Sequence, residues 1–382
     1  MVTKPVVLVD GTSLNRRMKG VGRYAWQIIS ELQRRLGDKV ALTVVAFEGE
    51  LPDFPAGFEA TWIRIPYHSE LSLGLVQLPR LLRRSEAAVF IRPADKIGRR
   101  YRCPTLTVCH DINPLIWAAG KPLPLRRRVL EKVWEFWRGL ALRRSDRVVC
   151  NSKFVRDAAV AHFGIDPGRT TIGYCGVDSR IPALAGQADR EGLRRRFGGQ
   201  GFLLAFATGD PREGAEILPP LWAACKQAGY PGSLVLAGVN GSAPYAAELA
   251  SGFDRLGVND SVNILPFLGE AELGLLAGLY GSCDYYLETS RHEGFGMQLV
   301  EAMACGATCF SSGRGALAEV GRGFPIRLAI DDPPRAGRDV AQAWAAKVHL
   351  RDKGDQVAHA LGFDWSDACD AVCDFVTQEI SR

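Results

Sequence analysis

The sequence predicts an α/β protein of two Rossmann-like, doubly wound domains. Three observations carry that expectation. Short apolar runs alternate with longer amphipathic stretches along all 382 residues. The alternation restarts after a Gly- and charge-rich segment at 185–201. The two halves also differ in sign: residues 1–175 hold 29 Lys+Arg against 16 Asp+Glu, and residues 176–382 hold 18 against 26.

In the first half the strand candidates are Val6–Val9, Val40–Ala46, Thr61–Ile65, Ala88–Ile91, Leu106–Cys109, Val148–Cys150 and Thr171–Ile172. These runs are continuously apolar, as parallel strands buried on both faces require. The stretches Tyr24–Leu36 and Leu125–Arg143 are the amphipathic crossovers of a doubly wound pattern. In the second half the candidates are Phe202–Ala207, Ser233–Ala237, Val262–Leu265, Tyr285–Leu287 and Ala307–Phe310. The boundary falls near Asp178–Gly186, giving domains at 1–178 and 179–363 and a closing helix at 364–382. Ligands in such sheets bind beyond the carboxyl ends of the strands, so two facing halves predict an interdomain cleft.

Composition narrows the class. A chain 47% hydrophobic and 23% charged has a globular profile. No apolar run approaches the ~20 residues that span a bilayer. The N-terminus enters Val6–Val9 without a secretory leader, so the expected location is the cytoplasm. The ten cysteines include no CxxC pair and mostly sit in apolar surroundings, which reads as reduced core thiols. No Asp-x-Asp pair closes a strand and no cluster has metal-ligand spacing, so neither a metal nor a cofactor is expected.

The chemistry concentrates in one segment. The run Tyr285–Leu287 enters the glycine turn Glu293-Gly294-Phe295-Gly296, and a helix opens near Met297 and closes before Gly306. Turn glycines let backbone amides approach a ligand, and a new helix aims free N–H groups at it, which suits an anion such as a diphosphate. Glu301, one turn into that helix beyond Leu299, is placed to accept hydrogen bonds from vicinal ribose hydroxyls. Glu293 precedes the turn and is placed to reach a transferred sugar. Acids at a helix N-terminus are common alone; the glycine turn, the preceding strand and both acids together are more specific. Near the N-terminus, Gly20 and Gly22 form a second glycine turn beside Arg16, Arg17, Lys19 and Arg23, which offers backbone amides to a phosphate but reads equally as a tight turn. His110 and Asp111 close the run Leu106–Cys109, at the edge where ligands bind.

Glu293 through Glu301 resembles the Glu-x7-Glu motif of the retaining glycosyltransferases of family 4. Gly20-Val21-Gly22-Arg23-Tyr24 looks like that family's N-terminal glycine loop, and His110-Asp111-Ile112-Asn113-Pro114-Leu115 its His-Asp-x-x-Pro-Leu segment. Ser145-Asp146-Arg147-Val148-Val149 before Ser152, Gly176-Val177-Asp178 and Phe363-Asp364-Trp365 follow in the family's order. The resemblance, spread over nearly the whole chain, implies a GT-B fold whose last helix crosses back to the first domain. It also implies metal-independent transfer with retention, by front-face substitution in which the departing phosphate oxygen takes the acceptor's proton. His110 then bonds the donor sugar, and Arg212, Arg291, Gly294, Phe295, Gly296, Leu299 and Glu301 line the donor site.

One position departs from that pattern. Arg212 stands where an arginine is expected, but Glu213 stands where the family has a lysine beside the diphosphate, a swing of two charges. Three explanations stay open: Arg291 supplies the cation, the alignment slips so that Arg212 does, or the donor is unusual or activity low. The first two are favoured.

The stretch Arg126-Arg127-Arg128 through Arg138, with Trp134, Phe136 and Trp137, reads either as a crossover helix or as a peripheral contact with an anionic membrane. No nucleic-acid module accompanies its charge. The expected reaction moves a hexose, mannose-like by analogy, from a nucleotide-diphosphate sugar (GDP-linked favoured, UDP- or dTDP-linked admitted). The expected acceptor is a glycan or polyprenyl-diphosphate-linked saccharide in surface-polysaccharide assembly. The alternatives are transfer to a small natural-product aglycone and a nucleotide-sugar-binding homologue with impaired catalysis.

Overall fold

A computed structural model describes residues 4–15, 20–112, 125–241 and 243–382, without the side chains of 125–128 and 131. Arg16, Arg17, Lys19 and the Asn113, Pro114 and Leu115 part of the His-Asp segment lie outside the described residues, as do the side chains of Arg126, Arg127 and Arg128. The chain divides into two compact units, one of residues 1–175 with 364–382 and one of residues 176–363.

The first unit holds a sheet of β1 (Val6–Asp10), β2 (Ala41–Phe47), β3 (Thr61–Ile65), β4 (Val89–Arg92), β5 (Thr105–Cys109), β6 (Arg147–Cys150) and β7 (Thr170–Ile172). The strands run parallel in the order β3-β2-β1-β4-β5-β6-β7. The second unit holds β8 (Phe202–Phe206), β9 (Ser233–Ala237), β10 (Val262–Ile264), β11 (Tyr285–Glu288), β12 (Thr308–Ser311) and β13 (Ile326–Arg327), parallel in the order β10-β9-β8-β11-β12-β13. Both units are doubly wound α/β sheets, the fold class expected. Winding reverses between β1 and β4 in one sheet and between β8 and β11 in the other, and these reversals are where open α/β sheets bind ligands.

Burial on both faces explains the continuous apolar strands. Leu8, Val45 and Phe90 pack with Leu73 and Leu78 on the first sheet, and Leu203, Leu236, Tyr285 and Phe310 pack with Trp222, Phe253 and Val340 on the second. All ten cysteines are free and nine are buried.

Two details differ from the sequence reading. The helix expected from Tyr24 begins at Gly20 and runs to Leu36, so the glycines form its first turn rather than a loop. First-turn N–H groups have no intrahelical partner, so glycine's poor helix propensity costs little there. The Gly- and charge-rich segment at 185–201 holds the end of the helix Arg180–Gln187 and all of the helix Arg190–Arg196, the second capped by Asp189, which accepts from the Gly192 N–H at 2.8 Å. The last helix, Ser366–Ile380, belongs to the first unit, as the sequence reading expects; there Asp370 pairs with Arg35 and the preceding Trp365 packs edge-on against Tyr24 at 5.4 Å.

Candidate functional site

The switch point of the second sheet is built from the loops after β8 and β11, and hydrogen bonds stitch them together. Thr289 Oγ1 donates to the Glu213 carbonyl at 2.5 Å, and the Arg291 N–H donates to the Arg212 carbonyl at 2.7 Å. Gly214, at φ +66°, leaves no room for a Cβ, which would meet the Thr289 carbonyl oxygen at 2.8 Å. Ser312 Oγ, after β12, donates to the Ser290 carbonyl at 2.6 Å, and the Ala316 N–H donates to the Glu293 carbonyl at 3.1 Å.

The glycine turn leads into the helix Met297–Ala304, with Gly296 at its N-cap at φ +94°. A Cβ there would fall 2.6 Å from Leu317. The first N–H groups of the helix have no intrahelical acceptor and lie beside the two stitched loops, an arrangement that suits a phosphate. Glu293 is half-buried before the turn. Glu301 is buried, and its carboxylate accepts from Tyr280 Oη at 3.3 Å. Phe295 and Leu299 point into the protein: Phe295 packs edge-on against Phe363 at 5.5 Å, and Leu299 is fully buried. They shape the turn through packing, and only their backbone is left to face a ligand.

The cations at this edge are held by local acids. Arg212 forks onto Asp210, with Nε and Nη2 contacts of 2.6–3.0 Å, and Arg291 pairs with Glu216 at 2.7 Å. Glu213, which the sequence set beside a diphosphate, turns back into its own loop. Its carboxylate accepts from the Thr208 N–H at 2.7 Å and Thr208 Oγ1 at 2.6 Å. Burial raises its pKa, the Thr208 hydrogen bonds oppose the rise, and Asp210 and Glu288 reinforce it. The side chain braces the loop, so a lysine's place is not filled by an outward-facing carboxylate.

Sequence reasoning missed Glu288, Tyr280 and Tyr286. Glu288 closes β11 fully inside the protein, accepting from Tyr286 Oη at 2.8 Å and the Ser290 N–H at 3.1 Å, with its pKa raised by burial. Tyr280 and Tyr286 cross edge-on at 5.8 Å beside Phe206 and supply the hydroxyls for Glu301 and Glu288. The available signal was an acid closing an apolar run, Tyr285-Tyr286-Leu287-Glu288.

At the switch point of the first sheet, Asp10 ends β1 and accepts from the Thr12 N–H at 3.1 Å and Thr12 Oγ1 at 2.5 Å, while Lys96, after β4, donates to Thr12 Oγ1 at 2.7 Å. One strand further, His110 Nε2 lies 2.6 Å from the Pro93 carbonyl, so it carries the proton and Nδ1 is the acceptor. Its ring stands edge-on to Tyr24 at 4.8 Å. Burial lowers the His110 pKa below its ordinary 6.5 against the opposing charges of Asp95 and Asp111, which makes a neutral imidazole. Arg138 reaches this edge from the helix Leu125–Arg144, bonding Asp95 and the Asp111 carbonyl. Gly22 is buried and Gly20 exposed in the first turn of Gly20–Leu36, in the same unit. Among the described residues no group of three or more His, Cys, Asp or Glu is placed to hold a metal ion.

Residues 18–180 match the family described as Glycosyltransferase Family 4, and residues 195–334 match Glycosyl transferases group 1. The chain carries both glycosyltransferase domains. A D-inositol 3-phosphate glycosyltransferase of Segniliparus rotundus is 27% identical over 297 residues, covering 73% of this chain and 61% of that one. This chain spans 56–61% of the length of the first curated relatives it matches. Among solved structures, WaaG, a glycosyltransferase involved in lipopolysaccharide biosynthesis, superposes with a TM-score of 0.74 at 14% identity, covering 97% of this chain and 99% of that one. Anabaena Alr3699/HepE in complex with UDP and glucose gives 0.69 at 18% identity, covering 98% and 100%. The family 4 and group 1 domains thus have the GT-B fold of glycosyltransferases.

Proposed function

We propose that the chain is a retaining, metal-independent glycosyltransferase that moves a hexose from a nucleotide-diphosphate sugar to a glycan or lipid-linked saccharide. The observation that carries the reading is the stitched edge of the second sheet. There the half-buried Glu293, a glycine turn, a helix N-terminus and the buried Glu301 follow one another at the switch point. In this reading the Met297–Ala304 N-terminus holds the leaving diphosphate, with Arg212 and Arg291 exchanging their carboxylate partners for it, so no metal is required. Glu301 accepts from the ribose hydroxyls, Glu293 meets the sugar, and Nδ1 of the neutral His110 accepts from a sugar hydroxyl. The departing phosphate oxygen takes the acceptor's proton.

For the donor, the UDP and glucose held by the Anabaena neighbour support a UDP-linked hexose over the GDP-linked mannose expected from sequence. The D-inositol 3-phosphate glycosyltransferases support a polyol-type acceptor beside the lipid-linked saccharide. The test is proton NMR of the chain with UDP-, GDP- and dTDP-hexoses and a saccharide or polyol acceptor, with and without chelator. The expected result is transfer of one sugar to the acceptor with its anomeric configuration kept in the new glycosidic bond, unchanged by chelator. Inversion, a chelator-sensitive rate, or no turnover of any donor contradicts the reading.

A further inference from the structure

Seven of the eighteen basic residues in the acidic half 176–382 lie in two short segments: Arg190, Arg194, Arg195 and Arg196, then Lys347, Arg351 and Lys353. The fold brings both segments to the amino end of β11. Arg194 Nε donates to the Ser282 carbonyl at 3.3 Å, and its guanidinium pairs with Asp284 at 2.5 Å, just before the strand. His349 Nδ1 lies 3.4 Å from Tyr285 Oη, on the first residue of the strand, and Lys353 Nζ donates to the His349 carbonyl at 2.7 Å. The glycine turn of the candidate site follows the opposite, carboxyl end of the same strand.

Charge at the amino end is not balanced. The buried Asp284 is already shared by Arg194 and by Tyr230 Oη, which donates to it at 2.8 Å. Glu191 pairs with Arg195 at 3.5 Å, and Asp352 accepts from the Gly354 N–H at 3.0 Å. Among the described residues, Arg190, Arg351 and Lys353 have no carboxylate partner.

Arg190 and Arg194 stand one turn apart on the helix Arg190–Arg196 and share a face. Beneath them are Cys283 and Cys305: burial raises both thiol pKa values, and Arg194 opposes the rise at the first and Arg190 at the second. Lys353 reaches the same spot from the other segment. It is half-buried, and its pKa is lowered by burial and further by Arg190. Burial also lowers the His349 pKa, with Arg194 and Lys353 adding to the fall against Asp284. A lone surface arginine is a solvated group. Cations that depress one another over buried thiols are held in an arrangement that a bound anion would relieve.

We propose that Arg190, Arg194 and Lys353 form a binding site for a phosphate dianion, separate from the candidate donor edge. Arg190 and Lys353 supply the uncommitted charges, and Arg194, oriented by Asp284, supplies its remaining N–H groups. The helix Met297–Ala304 runs between the two sites, with the glycine turn at its N-terminus and Cys305 at its C-cap. Its eight residues separate them by about 12 Å, too far for one phosphate to serve both.

The test is calorimetric titration of the full chain with inorganic phosphate and with glucose 6-phosphate, at an ionic strength held constant with sodium chloride. The wild type should bind one or both. The double variant Arg190→Ala, Lys353→Ala should bind about tenfold or more weakly, through lost charge-assisted hydrogen bonds. The donor-edge variant Arg212→Ala, Arg291→Ala should keep the binding. Hydrogen–deuterium exchange should slow with the anion in peptides covering 188–197 and 347–356. Thermal unfolding without anion confirms that each variant is folded.

Tighter binding of glucose 6-phosphate marks the ligand as a phosphorylated sugar, and tighter binding of inorganic phosphate marks the free anion; either supports the site. No binding beyond that of chloride overturns the proposal, as does binding that survives Arg190→Ala, Lys353→Ala. Binding lost only in the donor-edge variant overturns it too. No readout uses a nucleotide sugar, so a chain that binds phosphate here but no donor keeps this site and loses the glycosyltransferase reading.

Discussion

At the edge of the second sheet three acids are turned inward and each is answered by a donor: Glu213 by Thr208, Glu288 by Tyr286 and Ser290, Glu301 by Tyr280. At the edge of the first sheet, Asp95 and Asp10 face Arg138 and Thr12, and a neutral His110 sits on a carbonyl. Both are reversal points of a doubly wound sheet, so topology alone makes each a binding edge. Chemistry separates them. The second is two loops locked by their own hydrogen bonds around a helix N-terminus, which suits a ligand of fixed polar shape. The first is held through an ion pair to an exposed helix, so what touches that helix bears on the edge.

The comparison breaks first at Phe295. If packing against Phe363 sets the turn, Phe295→Ala destabilises the chain by about 3–5 kcal/mol in urea denaturation. A loss well under 1 kcal/mol would show that the ring serves the ligand instead. Glu293→Ala should lower turnover by about a hundredfold, with nucleotide affinity held and the melting temperature unchanged. An equal loss of nucleotide affinity would assign Glu293 to binding.

Glu213 sharpens the contrast. Removing its carboxyl in Glu213→Ala leaves the Thr208 N–H and hydroxyl without their acceptor, which should destabilise by about 1–3 kcal/mol. If the chain is instead unaffected and binds nucleotide more tightly, the carboxylate was opposing the diphosphate after all. Because burial raises the Glu213 pKa, the folded state holds its proton more tightly than the unfolded chain. Its contribution to stability is therefore present at acid pH and is lost as pH rises from the ordinary 4.5 through the folded value.

The smallest effect belongs to the first edge. His110→Ala should lower turnover about tenfold. Burial depresses the His110 pKa, so the unfolded chain protonates first and stability from this group is lost as pH falls below 6.5. Wild-type turnover should stay level from alkaline pH to below 6.5 and drop only on the acid side. A drop centred above 6.5 contradicts the buried, neutral ring.

Much of this architecture was legible because buried parallel strands are continuously apolar and a glycine turn before a helix has a strong local signature. Glu293-Gly294-Phe295-Gly296 announced both the turn and the helix that follows. What stayed hidden is tertiary. Nothing in the order Asp210-Pro211-Arg212-Glu213 says that Glu213 folds back onto Thr208 or that Arg212 closes on Asp210. Glu288 looked like the polar end of a strand, and only Tyr286 and Ser290 explain a buried carboxyl there. The helix start at Gly20 was missed because glycine's propensity argues against it, whereas Gly22 is buried in the first turn. The face 129–136 was ambiguous because a crossover helix and an interfacial helix share one composition.

The central claim is that the second edge holds the nucleotide, and calorimetric titration of UDP, GDP and dTDP tests it most directly. The titrations use the wild type, Glu301→Ala and, as a first-edge control, Thr12→Ala. The account predicts that one nucleotide binds the wild type, that Glu301→Ala weakens it about tenfold to a hundredfold through lost charge-assisted hydrogen bonds, and that Thr12→Ala leaves it unchanged. Binding that ignores Glu301 and follows Thr12, or no binding of any of the three, would contradict it.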